Sequence, residues 1–127
     1  MPASNPFDYA IIRVVPRVER GEFLNAGVIV HCPTLDYLAA NVFLDEKKLK
    51  AWWPDVDATE LTEHLEVLPR IAAGERTAGP IASLSRSERF HWLVAPRSTV
   101  VQVSSVHSGI CEGTAPLLEQ LMNRFVR

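Results

Sequence analysis

YAIIRVVPRVERGEFLNAGVIVHCPTLDYLAANVFL, positions 9–44, decides the fold. Residues 9–15 are rich in β-branched side chains and stop at Pro16, and residues 23–32 form a second such run that stops at Pro33. Residues 17–22 between them, with Gly21 able to take positive φ, suit a hairpin loop. A third run, 37–44, follows the turn at 33–36. The spacing predicts a three-stranded antiparallel meander.

Alternation along these strands divides their side chains into two sets. Ala10, Ile12, Val14, Leu24, Ala26, Val28, Val30, Leu38, Ala40, Val42 and Leu44 are all apolar and predict the face that lies under helices. The other set, from Tyr9, Ile11 and Arg13 through Phe23, Asn25, Ile29 and His31 to Tyr37, Asn41 and Phe43, mixes aromatic and hydrogen-bonding groups. Such a face is either solvated, as one side of an antiparallel sheet commonly is, or a contact surface. Tyr9, Arg13, Tyr37 and Phe43 are the residues on it that would anchor a protein partner.

Beyond position 44, Asp45 is placed to cap a short helix from Glu46 to Trp53 that Pro54 ends, and Asp57 with Glu60 has the spacing of a helix start. Leu61, Leu65 and Leu68 give that second helix an apolar stripe, and Pro69 is expected to kink or end it. Residues 90–94 read equally as a short strand or as the last turn of a helix begun near Ser85. Residues 99–106 read as one strand. Leu117/Leu118, Leu121/Met122 and Phe125/Val126 then recur every four residues, an amphipathic helix expected to cover the sheet. The predicted class is α+β: a mainly antiparallel sheet, the N-terminal meander plus at least one later strand, with helices packed on one face.

The composition bounds what such a domain can do. A chain of 127 residues, 47% hydrophobic and 22% charged, suits one globular domain with no second. Its formal charge of -2 supplies no bulk positive field, which argues against nucleic acid and against an anionic membrane surface. No run is long and apolar enough to span a bilayer, and the first eight residues lack the features of a signal peptide, so a cytoplasmic protein is expected. Its two cysteines are then expected as free thiols.

No motif for a cofactor or for catalysis stands out. His31 with Cys32 and His107 with Cys111 are zinc-type ligands, but strand neighbours point to opposite faces, so no metal site is expected. Ser98, Ser108, His107 and Asp36 can be assembled into a triad only on paper, since no Gly-x-Ser-x-Gly elbow is present. Arg86, Arg89, His91, Arg97 and Ser98, with His107 at the end of the strand that follows, form a cationic segment opposed only by Glu88. These are either ordinary solvated charges or an anion pocket in which arginine forks grip phosphate or carboxylate and His107 supplies a proton. Arg20, Glu22 and Asn25 at the first hairpin complete that candidate set, and His107 is expected within one side-chain length of Arg97 or the hairpin.

RVVP at 13–16 followed by ERGEFLNAGV at 19–28 resembles the opening signature of the bacterial domain-of-unknown-function 3037 family, and RFHWLVAPRSTVVQ at 89–102, followed by His107, Gly109 and Cys111, resembles its second block. Arg17-Val18 departs from the acidic residue that family often carries after the proline. The positions carried across are Arg20, Gly21, Glu22, Asn25 and Gly27, then Arg89, Trp92, Arg97, Ser98, His107 and Gly109. The resemblance implies a small bacterial protein often encoded beside a kinase-like protein similar to the toxin half of HipA toxin-antitoxin pairs, and it implies no known activity. Two functions are therefore expected. The first is a non-enzymatic accessory module that binds a protein, the kinase-like neighbour or a second copy of itself. The alternative is an enzyme or sensor that binds a phosphate or carboxylate ligand between the two blocks.

Overall fold

The computed structural model describes residues 4–97 and 99–127. The sheet is built around β1 (Asn5–Val14), which pairs antiparallel with β2 (Leu24–Cys32), and β2 pairs antiparallel with β3 (Tyr37–Val42). This is the predicted meander. Its first loop carries Gly21 at φ 71°, and its second closes at Asp36 with φ 49°. Asp45 accepts a hydrogen bond from the Lys48 amide and starts α1 (Glu46–Trp52), and Asp57 does the same for Glu60 at the start of α2 (Ala58–Ala72). Both caps satisfy amide donors that the first helical turn leaves without partners.

The ambiguous segment around 90 is helix. Ser85 and Glu88 form a reciprocal capping box that starts α3 (Arg86–Leu93). Two short strands follow, β4 (Val101–Val103) and β5 (His107–Cys111), and α4 (Leu117–Phe125) closes the chain. β4 and β5 lie on the same side of β1, giving the order β3-β2-β1-β4 with β5 further along that edge. The strand expected over 99–106 is thus only three residues long, and β5 lies wholly beyond that range. Val103 stands opposite Ile12 and His107 opposite Tyr9, so three residues face two and the ladder is interrupted. Pro69 also departs from expectation: α2 runs through it to Ala72, because Leu68, Ile71 and Ala72 on either side are buried.

The helices, expected on one face, divide between two. Ile12 stands opposite Gly27 whereas Arg13 stands opposite Asn25, which leaves Ala26 as an extra residue in β2. That bulge reverses the alternation of β2 relative to β1, since one added residue turns every later side chain to the other face. Ile29 therefore joins Ile12 and Val14 beneath α2 and α3, with Leu61, Leu65, Phe90 and Leu93. Val28 and Val30, assigned to that same core by simple parity, face the opposite way and pack with Phe7, Leu117, Leu121 and Met122 under α4. The sheet is covered on both sides.

Candidate functional site

The loop between β1 and β2 lies beside the end of α1. A short turn, Val18–Arg20, and Gly21 fold the loop back so that the Arg20 Nε reaches the Glu22 Oε1 at 2.6 Å. This contact raises the Arg20 pKa, first through the hydrogen bond to Glu22 and then through its charge. Pro54 follows α1, whose terminal Trp52 is 72% exposed while the next residue, Trp53, packs on the core. Arg17, Arg20, Glu22 and both tryptophans line a cleft of about 420 Å³. A second cleft of about 380 Å³ is lined by residues 21–24 and shares Trp52 and Trp53. Among the described residues the lining offers no thiol, hydroxyl or imidazole. Its chemistry combines indole faces, which hold apolar and planar groups, with the charged side chains of Arg17, Arg20, Glu22 and Asp55.

Phe23 extends this surface to the sheet. It is 48% exposed, and the Arg13 guanidinium carbon sits 4.1 Å above its ring centroid. Arg13 stands opposite Asn25 in β2 and Gln102 in β4. The Asn25 Nδ2 donates to the carbonyl of Phe125 at 3.1 Å, which ties β2 to the end of α4. The Arg13 Nε and the Asn25 Oδ1 are both buried with no partner among the described residues.

The candidate anion pocket does not assemble. Arg20 and Glu22 lie beyond the end of β1, whereas His107 stands opposite Tyr9. The six residues of β1 from Tyr9 to Val14 span roughly 17 Å at strand rise, far more than the one side-chain length expected. Arg89 donates to the carbonyls of Leu84 and Ala72, clasping α3 to the end of α2. Arg97 donates to the Trp92 carbonyl at 2.8 Å and lies over the Trp92 ring, and burial lowers its pKa. Both arginines thus serve the fold, each fastening a helix end. His107 lies against Tyr9, the two rings tilted with their centroids 5.5 Å apart. Ser98 lies outside the described residues. The triad is dispersed as well, since the Ser108 hydroxyl donates to Asp8 and Asp36 pairs with Arg86 at 3.8 Å.

The expected partner face is half covered. Tyr9 stacks on Phe125 of α4 at 5.7 Å, and Tyr37 packs into the core beneath α4, where burial raises its pKa. Arg13 and Phe43 remain at the uncovered end. Sequence reasoning missed Trp52 and Trp53, which entered only as the end of a short helix, and placed Phe23 on a face without assigning it a role. The available signal was an aromatic pair immediately before a proline. His31 is a core residue, packed on Phe90 at 4.7 Å, and lies on the opposite side of the sheet from His107. Cys32 and Cys111 are free thiols beneath α4, where desolvation and then the neighbouring Cys32 raise the Cys111 pKa.

The fold and this surface define a small α+β protein, an antiparallel sheet between helices with an aromatic-lined cleft beside its first hairpin. Residues 9–126 match the family described as "Protein of unknown function (DUF3037)", and the chain belongs to that family. No curated protein and no solved structure matches it. No helix among the described residues is long and apolar enough to cross a membrane.

Proposed function

We propose that this protein is a non-enzymatic binding module that holds a protein partner across the hairpin surface, with Trp52 and Phe23 as its aromatic anchors. The observation that carries the reading is the 72% exposure of Trp52 between two adjoining clefts. Large apolar groups gathered at one place on a surface mark interaction sites, and tryptophan is among the residues that dominate binding energy when a partner buries it. Arg20 and Glu22, a charged pair at the rim, offset each other's charge beside the tryptophans. The family resemblance points to the kinase-like product of a neighbouring gene as the partner.

Co-expression with that product followed by size-exclusion chromatography tests the proposal. Co-elution is expected for the native chain and should be lost in Trp52→Ala, whereas independent elution of the two native proteins at micromolar concentration counts against it. Light scattering on the isolated chain separates the rival: a dimer that Trp52→Ala dissociates would assign the surface to self-association.

A further inference from the structure

We infer that the segment of the partner received here is acidic and that Arg13 and Arg124 are the cations that receive it, an inference that rests on the protein-binding reading above. Four arginines are half-buried: Arg13, Arg70, Arg89 and Arg97. Arg70 reaches Thr77 and Glu75, Arg89 the carbonyls of Leu84 and Ala72, and Arg97 the carbonyl of Trp92. The Nε atoms of Arg13 and Arg89 are both buried without a partner, but Arg89 still donates through both terminal nitrogens, whereas Arg13 has no acceptor at all among the described residues. A guanidinium that has lost part of its hydration without gaining an acceptor is costly, and a partner carboxylate removes that cost. The Phe23 ring 4.1 Å beneath it holds the planar head in place, so less freedom is lost when a carboxylate engages the fork.

Arg124 repeats the arrangement on α4. Its guanidinium carbon lies 5.1 Å from the centroid of the Phe125 ring, and it has no carboxylate partner among the described residues. Asn25 joins the two stacks, standing opposite Arg13 in the sheet and donating to the Phe125 carbonyl. Two guanidinium–phenylalanine stacks thus flank one motif residue on a chain whose overall charge is -2. An acidic segment is repelled by the bulk of such a chain and attracted at this one place, which orients its approach. Two cations are too few to hold a nucleic-acid backbone by charge neutralisation, and the adjoining Phe23 and Trp52 suit the apolar side chains of a polypeptide.

The test is fluorescence anisotropy with a short fluorescein-labelled glutamate-rich peptide carrying one phenylalanine, titrated with the full chain. Saturable binding is expected, weakened about tenfold by Arg13→Gln and severalfold by Arg124→Gln, and unchanged by Arg76→Gln in the exposed turn after α2. Arg124 is exposed, so its variant keeps the fold and decides the matter even if Arg13→Gln is unstable. Equal loss in all three variants, or no loss in any, overturns the inference. So does displacement of the peptide by an equal concentration of inorganic phosphate, which marks a small-anion site, or tighter binding of a labelled single-stranded oligonucleotide. Absence of peptide binding alongside Trp52-dependent co-elution of the partner overturns the acidic assignment and leaves the protein-binding reading standing.

Discussion

Gly27 meets the neighbouring strand so closely that a Cβ there would lie 2.5 Å from the backbone carbonyl oxygen of Asn41. Backbone in a paired strand cannot give way cheaply, so Gly27→Ala is expected to destabilise the protein by about 2 kcal/mol or more in urea unfolding. A native-like midpoint would show that β3 shifts to make room. Gly21 has open space around it and positive φ, so Gly21→Ala should cost only about 1 kcal/mol, from conformation alone. His31 carries a dependence on pH. Desolvation lowers its pKa, with His91 and Arg86 on α3 acting in the same direction and Asp8 on β1 opposing them. The folded chain therefore prefers the neutral ring, and the unfolded chain takes up the proton first as the pH falls. The stability associated with burying His31 is complete above its unfolded value of about 6.5 and is lost as the pH falls through the lower folded value. Urea midpoints measured on the acid side of about pH 6.5 should fall with pH in the native chain and fall less in His31→Phe. An unaltered slope in the variant would remove His31 from the account. The glycines and the histidine were visible in the sequence, but their neighbours were not, because each belongs to a different strand or helix.

At the scale of elements, the break between β4 and β5 is mended by one side chain. The Ile11 amide, which would face the interruption without a partner, donates to the Ser104 Oγ at 2.8 Å, and the Ser104 amide donates to the Ile11 carbonyl. Ser104 is buried, so Ser104→Ala leaves the Ile11 amide without an acceptor and should cost about 1–3 kcal/mol, against less than about 0.5 kcal/mol for exposed Ser105→Ala. Equal effects of the two substitutions in denaturant melts would refute this role. Helix starts at Asp45 and Asp57 were legible because a cap acts within its own first turn. The same local signal was present at Ser85 and Glu88, and it outweighs the strand-like pattern of the residues after it. The course of α2 through Pro69 was not legible. Proline removes one hydrogen bond locally, and whether the helix survives depends on what Leu68, Ile71 and Ala72 bury against.

The molecule has two cores on opposite sides of one sheet, and both should be needed for stability. Met122, fully buried on the sheet-facing side of α4, and Leu65, buried on the sheet-facing side of α2, should each cost about 2–5 kcal/mol when replaced by alanine. Thermal melts should lose a comparable amount in both variants, whereas a negligible loss in Met122→Ala would mean that α4 is detached from the sheet. Trp52→Ala should leave the melting temperature nearly unchanged, because a side chain so exposed contributes little to folding and its value lies in binding. The α+β class, the meander, its turns, the helix caps and the amphipathic last helix were all readable along the chain, since each rests on interactions between residues close in sequence. The sequence also carried the family signature. Tertiary structure decided which face each side chain takes, because one bulge at Ala26 reverses the parity of β2, and a bulge is defined only by the register of two strands. It also decided that Arg89 and Arg97 fasten helix ends while Arg13 has no acceptor among the described residues, for a guanidinium reaches whichever carbonyl the packed helices bring to it.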